Sequence, residues 1–268
     1  MKIGNKNFDV ENNVYIMGIL NVTPDSFSDG GEFNHIDKAL KRVEEMILEG
    51  VDIIDVGGES TRPGHIPISE QEEIHRVAPV IEKIHKHFDI PISVDSYKAK
   101  VAKAGILAGA SLVNDIWGLK YDKEMARLIA EEEVTCCLMH NRDNTNYHNF
   151  MPDVLMDLEQ SIESAKRAGI KQDKIILDPG VGFGKTYEQN LEIINHLDEL
   201  CGLGYPFLLA ASRKSVIGLT LELPVDERLE GTLVTTVMGV LKGCAFVRVH
   251  DIKENKRVIK MTKTIMER

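Results

Sequence analysis

Polar and charged side chains recur along the chain, each set directly after a short apolar run. They are Asn21; Asp55 and Glu59; Asp95; Asn114 and Asp115; His140; Asp178; Ser212, Arg213 and Lys214; and Arg248, His250 and Asp251. Helix N-caps account for Asp, Asn and Ser at such positions. A cation opposes the positive end of a helix dipole, so capping leaves Arg213, Lys214, Arg248 and His250 unexplained and anion binding is the better reading. Asp95 and Asp178 could divide acid and base work, although their separation does not follow from sequence. Ser212 has His250 as a candidate base, but without a G-x-S-x-G elbow a hydrolase triad is disfavoured.

Asp178 to Thr186 reads DPGVGFGKT and ends like a phosphate-binding loop. That loop requires Gly five positions before the final Gly, and Pro179 stands there; the spacing of Gly180, Gly182 and Gly184 also fails the dinucleotide fingerprint. The glycines instead suggest close approach of backbone to a flat ligand. NVTPDSFSDGG (from Asn21) and ESTRPG (from Glu59) have the size and composition of loops over a site. Pro24, Asp25 and Gly30 suit turns, whereas Phe27 and Arg62 favour function. His75, His85 and His87 read as the solvated face of a helix, and without H-E-x-x-H a zinc site is disfavoured. A hard ion such as Mg²⁺, held by Asn21 and a phosphorylated substrate, needs no protein cage and stays open.

The elements that must position these residues are eight apolar runs: VYIMGIL, VDIIDV, IPISVD, SLVND, VTCCLMH, KIILDPG, PFLLAAS and AFVRVHD. Each precedes a helix-like segment, often closed by Gly. From Asp37 to Leu48 a helical stripe is expected on Ala39, Leu40, Val43, Ile47 and Leu48. Near-continuous apolar strands alternating with helices imply a parallel sheet covered on both faces. Eight units in 268 residues favour an α/β fold with one closed (β/α)₈ TIM barrel, residues 1–268 forming a single domain. The first 13 residues are expected to form a short N-terminal hairpin at the barrel bottom. Barrel sites form at the C-terminal ends of strands, where every polar set above falls, and strands seven and eight are where barrels commonly hold phosphate.

Composition sets outer bounds. With 32 Lys+Arg against 42 Asp+Glu the net charge is −10, a field that repels nucleic acid and anionic membrane and leaves anion binding to a local basic site. Cys136, Cys137, Cys201 and Cys244 form no C-x-x-C and read as buried, reduced thiols, suggesting a cytoplasmic protein. No secretory h-region or membrane-spanning run is evident.

The ordered motifs MGILNVTPDSFSDGG (Met17 to Gly31), DIIDVGGESTRPG (Asp52 to Gly64), SVDS (Ser93 to Ser96), ND (Asn114, Asp115), LDPGVGFGKT (Leu177 to Thr186), ASRKS (Ala211 to Ser215) and RVHD (Arg248 to Asp251) carry a resemblance. Together they resemble the dihydropteroate synthases, the pterin-binding TIM-barrel family of folate biosynthesis that sulfonamides target. The resemblance implies condensation of 6-hydroxymethyl-7,8-dihydropterin pyrophosphate with p-aminobenzoate, giving 7,8-dihydropteroate and pyrophosphate. By motif, it places Asp95, Asn114, Asp178 and Lys214 at the pterin, with Met139 available to stack beneath it. It places Asn21, Thr61, Arg62, Arg248 and His250 at the pyrophosphate, with Mg²⁺ at Asn21. Phe27, Pro63, Phe183 and Ser212 surround p-aminobenzoate, and Asp95, Lys214, Arg248 and His250 take the catalytic roles. It also implies a homodimer through the last barrel helices, with which the apolar run Leu233 to Leu241 is compatible.

Chemistry supports these roles. A carboxylate such as Asp178 accepts two N–H groups from a pterin edge at once, and Asn114 can both donate and accept. Arg248, His250 and Mg²⁺ would neutralise a departing pyrophosphate. An SN1-like path is expected, in which the electron-rich dihydropterin supports a methylene cation and Asp95 stabilises it.

The chain departs from the family pattern in the polar stretch Met139 to Val154, at Val216 where an aromatic is frequent, and at Trp117, whose default reading is packing. A pterin-dependent methyltransferase is the nearest rival, but it has no need of Arg248, His250 and the SRK run. A noncatalytic pterin-binding module is disfavoured by Asn21, Thr61 and Arg62; a phosphate-binding isomerase or aldolase rests on Lys214 alone.

Overall fold

Tyr15–Asn21 starts a series of parallel strands because its apolar, partly β-branched residues can be buried on both faces. In the computed structural model, which describes residues 1–23, 32–60 and 66–268 (32–35 by backbone alone), all eight expected strands occur. They follow a two-stranded antiparallel hairpin, β1 (Lys2–Ile3) and β2 (Lys6–Asn7). The parallel strands are β3 (Tyr15–Asn21), β4 (Ile53–Gly57), β5 (Ile92–Asp95), β6 (Leu112–Asp115), β7 (Thr135–Met139), β8 (Ile175–Asp178), β9 (Leu208–Leu209) and β10 (Phe246–Val249). Sequential neighbours pair from β3 to β8, and β10 lies between β9 and β3. A parallel bridge between Leu177 and Phe207 joins the two ends, with the Leu177 N–H donating to the Pro206 carbonyl at 3.0 Å. The result is a nearly closed (β/α)₈ barrel.

Helices α1 (Glu32–Glu49), α2 (Glu70–His87), α3 (Ala99–Ala108), α4 (Met125–Glu131), α5 (Phe150–Ala168), α6 (Tyr187–Asn195), α7 (Asp198–Cys201), α8 (Ser215–Leu221), α9 (Leu229–Leu241) and α10 (Ile252–Met266) occupy the connections. Their inner stripes pack on the outward faces of the strands. Gly18 shows how closely: a β-carbon there would lie 2.8 Å from Met46 of α1. The expected α1 stripe needs correction: Ala39, Val43 and Met46 are buried, but Ile47 and Leu48 face outward, because at 3.6 residues per turn Met46 continues the line of Ala39 and Val43 whereas Leu48 falls on the opposite face.

The two-residue period of a strand carries the functional consequence. Ile53, Leu112, Cys137, Ile176 and Phe246 meet inside the barrel near its N-terminal end. Two residues further on, the same inward face carries Asp55, Asn114, Met139, Asp178 and Arg248. One register thus fills the floor with apolar groups and the mouth with polar ones. Ile3 and Phe8 of the N-terminal segment complete the floor, Phe8 standing edge-on to Tyr15 at 4.8 Å between centroids, so the hairpin plugs the bottom as expected.

Among the described residues no helix is long and apolar enough to cross a membrane. The reading of four buried thiols holds for Cys136, Cys137 and Cys244; Cys201 is exposed, because it ends the one-turn helix α7.

Candidate active site

Arg248 organises the mouth. From β10 its side chain reaches past β3 to two carboxylates, with Nε donating to Asp55 Oδ2 and Nη2 to Asp95 Oδ2, both at 2.6 Å. The Asn114 amide donates to the same Asp55 oxygen at 3.3 Å. One guanidinium shared between two buried carboxylates leaves excess negative charge. Burial foremost, and then the charge of Asp55, push Asp95 up to about 7 against the pull of Arg248. Asp55 Oδ1, Asp95 Oδ1 and the Ser93 hydroxyl oxygen are buried with no hydrogen-bond partner among the described residues, and such groups await a donor. Asp55, one of the polar strand ends but unassigned from sequence, is therefore the missed member of the site. Its signal was its register, one strand from Asp95 and matched to Ser93.

Asp178 ends β8 with one oxygen accepting from the Gly180 N–H at 2.7 Å. Burial raises its affinity for a proton, opposed by Lys214. Lys214 donates from Nζ to the Val181 carbonyl at 2.5 Å and stands 4.7 Å from the Phe183 ring centroid. Burial lowers it to about 8, with Asp178 acting in the other direction. Met139 is buried beside Tyr97 and Ile116, and Phe183 and Trp117 pack against that cluster. A partly apolar cluster thus lies beside the Asp178 carboxylate, whose strand position pairs with Met139.

At the rim, Asn21 is exposed at the end of β3, with its Oδ1 3.8 Å from where a β-carbon on Gly57 would be. Ser212 and His250 are brought together, Oγ to Nδ1 at 2.9 Å, and the His250 N–H also donates to Ser212 Oγ at 3.3 Å. Arg213 does not stand as a free cation: it forms a two-point pair with Asp251, with Nε at 3.0 Å from Oδ2. The other basic side chains grouped from sequence are engaged too: Arg248 with Asp55 and Asp95, Lys214 with the Val181 carbonyl, and His250 with Ser212. Phe27, Thr61, Arg62 and Pro63 lie outside the described residues.

Two supporting networks were not assigned from sequence. Lys98 Nζ donates to Glu59 Oε2 (2.6 Å), Glu73 Oε2 (2.7 Å) and the Ile68 carbonyl (2.8 Å), and Tyr97 OH donates to Glu59 Oε1 (2.6 Å). Glu59 and Ile68 flank the second loop, so this buried cluster fixes both of its ends. The other network fastens the loop after β8. There Gly180 and Gly184 have a cause within the chain: a β-carbon on Gly180 would lie 1.9 Å from the His140 carbonyl oxygen, and one on Gly184 2.6 Å from that of Arg142. These glycines admit the chain's own backbone. Thr186, which completed the apparent phosphate motif, caps α6 in a reciprocal capping box with Gln189.

The pterin binding enzyme family model matches residues 17–250. A dihydropteroate synthase of Clostridium beijerinckii is 63% identical over 269 residues, covering 100% of both chains. Among solved structures, the dihydropteroate synthase of Clostridium difficile in the presence of pteroic acid has a TM-score of 0.95 and 52% identity, covering 98% of this chain and 100% of that one. The Xanthomonas albilineans enzyme with 4-aminobenzoic acid has a TM-score of 0.91 and 35% identity, covering 95% of this chain and 94% of that one. By sequence motifs, barrel geometry and these likenesses together, the chain belongs to the dihydropteroate synthase family of pterin-binding enzymes.

Proposed function

We propose that the chain condenses 6-hydroxymethyl-7,8-dihydropterin pyrophosphate with p-aminobenzoate, forming 7,8-dihydropteroate and releasing pyrophosphate. The observation that carries the reading is the set of unpartnered buried acceptors, Asp55 Oδ1 and Asp95 Oδ1, grouped around Arg248 at the barrel mouth. A pterin ring presents several N–H donors in one plane and can satisfy buried acceptors whose desolvation is otherwise uncompensated. Asp178, Asn114, Asp95 and Lys214 take its polar edge, and Met139 takes its face. Phe183, Ser212 and the loop residues Phe27 and Pro63 enclose p-aminobenzoate, where a sulfonamide would compete.

The electron-rich dihydropterin releases pyrophosphate by cleavage of the bond between its methylene carbon and oxygen, leaving a cation delocalised into the ring. The Asp95 carboxylate stabilises that cation. Arg248 and His250, with Thr61 and Arg62 of the second loop, hold the departing anion. The p-aminobenzoate nitrogen donates its lone pair to the carbon and then loses a proton to solvent.

Among the described residues no group of three or more His, Cys, Asp or Glu side chains can hold a metal. The neutral Asn21 oxygen, facing space left open by Gly57, fits a hard ion held mainly by substrate oxygens and water. When bound there, Mg²⁺ supplies charge neutralisation to the pyrophosphate.

A homodimer through α8 and α9 fits the exposed apolar residues Leu219, Leu221, Val225, Val234 and Leu241. The four free thiols fit a reducing cytoplasm.

Asp178→Asn and Arg248→Ala test the assignments. Each is expected to reduce pyrophosphate release by about 100-fold or more, in line with ~1.5–3 kcal/mol for each charge-assisted hydrogen bond lost. Near-normal release by both variants would overturn them. Positional isotope exchange in the substrate pyrophosphate without p-aminobenzoate is expected for the stepwise path and is absent for a concerted one.

A further inference from the structure

Lys185 takes no part in the chemistry proposed above, yet its ammonium is the most heavily engaged group on the loop after β8. Nζ donates to the Gly180 carbonyl at 2.9 Å and to the Phe183 carbonyl at 3.0 Å, and meets His140 Nδ1 at 2.8 Å. His140 Nε2 in turn lies 3.0 Å from Asp157 Oδ2, which also accepts from Arg142 Nε at 2.6 Å. These partners set the proton positions. Burial foremost lowers Lys185 to about 7, with Asp178 opposing it; towards the ammonium form Nδ1 accepts, which leaves the imidazole neutral with its hydrogen on Nε2, donated to Asp157. Burial, the largest influence, lowers His140 to about 4 and agrees with a neutral ring.

All three ammonium protons are therefore used, two by the loop and one by the residue following β7. Nearby contacts repeat the attachment: Tyr147 OH donates to the Gly184 carbonyl at 2.7 Å, and Arg142 stacks over the Tyr147 ring at 4.3 Å from its centroid. The stretch 139–154, where the sequence departs from the family pattern, is thus the support of the neighbouring loop. Phe183 occupies the middle of the fastened segment and carries the ring beneath Lys214.

We propose that Lys185 is a positioning residue for the condensation. It ties the loop after β8 to the end of β7 and fixes Phe183 where p-aminobenzoate must lie, a role that rests on the function proposed above. The Lys185 head touches no reacting atom. Its ammonium holds the Phe183 carbonyl directly, whereas Asp178 and Lys214 on the pterin side keep their own bonds to the Gly180 N–H and the Val181 carbonyl, so loss of its donors weakens the second substrate more than the first.

The experiment is steady-state kinetics of Lys185→Met, which keeps a similar stem and removes the donors, with each substrate varied in turn. The KM for p-aminobenzoate is expected to rise about tenfold or more, and that for the pterin pyrophosphate by less than about twofold. A merely structural defect lowers the active fraction, and so kcat, without separating the two KM values. Tyr147→Phe, a milder cut in the same attachment, is expected to raise the p-aminobenzoate KM two- to threefold, and it decides the matter if Lys185→Met does not fold. An unchanged p-aminobenzoate KM in a folded variant, or an equal rise in both, overturns the proposal. A wild-type protein with no condensation activity is a separate outcome: it overturns the functional reading and this role with it.

Discussion

Asp95 illustrates how a site residue owes its properties to its surroundings. Burial, then the neighbouring Asp55, raise it to about 7, while Arg248 opposes both. Because the folded protein holds this proton more tightly than the unfolded chain, the contribution to stability is full below the ordinary carboxylate range and is lost as pH rises through about 7. Asp95→Asn is therefore expected to melt higher than wild type at pH 8, with little gain at pH 4, while losing activity; scanning calorimetry at the two pH values checks this. Ligand binding has the opposite sign. A pterin edge that donates to the carboxylate requires it ionised, so affinity for pteroic acid is expected to fall below pH 7 by up to about tenfold per unit. Titration calorimetry should find that slope in wild type and a flatter one in Asp95→Asn. The sequence exposed Asp95, Asn114, Asp178 and Arg248 as strand ends, but not that Arg248 is shared between Asp55 and Asp95. That contact spans 193 positions in sequence for Asp55 and depends on barrel closure.

At the scale of elements, period and punctuation made all eight strands readable, since buried parallel strands are short apolar runs whatever their neighbours. The α1 stripe was readable from periodicity as well, but through Met46, which continues the line of Ala39 and Val43, and not through Leu48, which falls on the opposite face. The glycines of DPGVGFGKT were legible as a demand for unusual backbone, but not its cause. Gly180 has φ +72°, and a β-carbon would strike the His140 carbonyl, so Gly180→Ala is expected to destabilise by more than about 2 kcal/mol in denaturant unfolding. Phe8 offers a contrast at the opposite end. Phe8→Ala opens the apolar floor and is expected to cost about 3–5 kcal/mol, with KM values near wild type because no floor residue meets substrate.

For the whole molecule, a net charge of −10 coexists with a mouth that must receive a pyrophosphate. The cations that could receive it lie on or after the last two strands, Lys214, Arg248 and His250, and the basic groups there differ in how far they are already engaged: Arg213 is paired with Asp251, and Arg248 is shared between Asp55 and Asp95. Global charge excluded classes of partner but could not say which cations were already paired. The exposed face of α8 and α9 is a further whole-molecule property. If the proposed homodimer uses this face, wild type sediments as a dimer and Val234→Glu as a monomer in analytical ultracentrifugation; a monomeric wild type, or a variant that stays dimeric, would overturn that interface. The mouth must bring two substrates together. Incubation with dihydropterin pyrophosphate, p-aminobenzoate and Mg²⁺, followed by quantification of both products, tests it most directly. Dihydropteroate and pyrophosphate are expected in equal amounts; a folded protein that forms neither, or that releases pyrophosphate without forming dihydropteroate, would overturn the assignment.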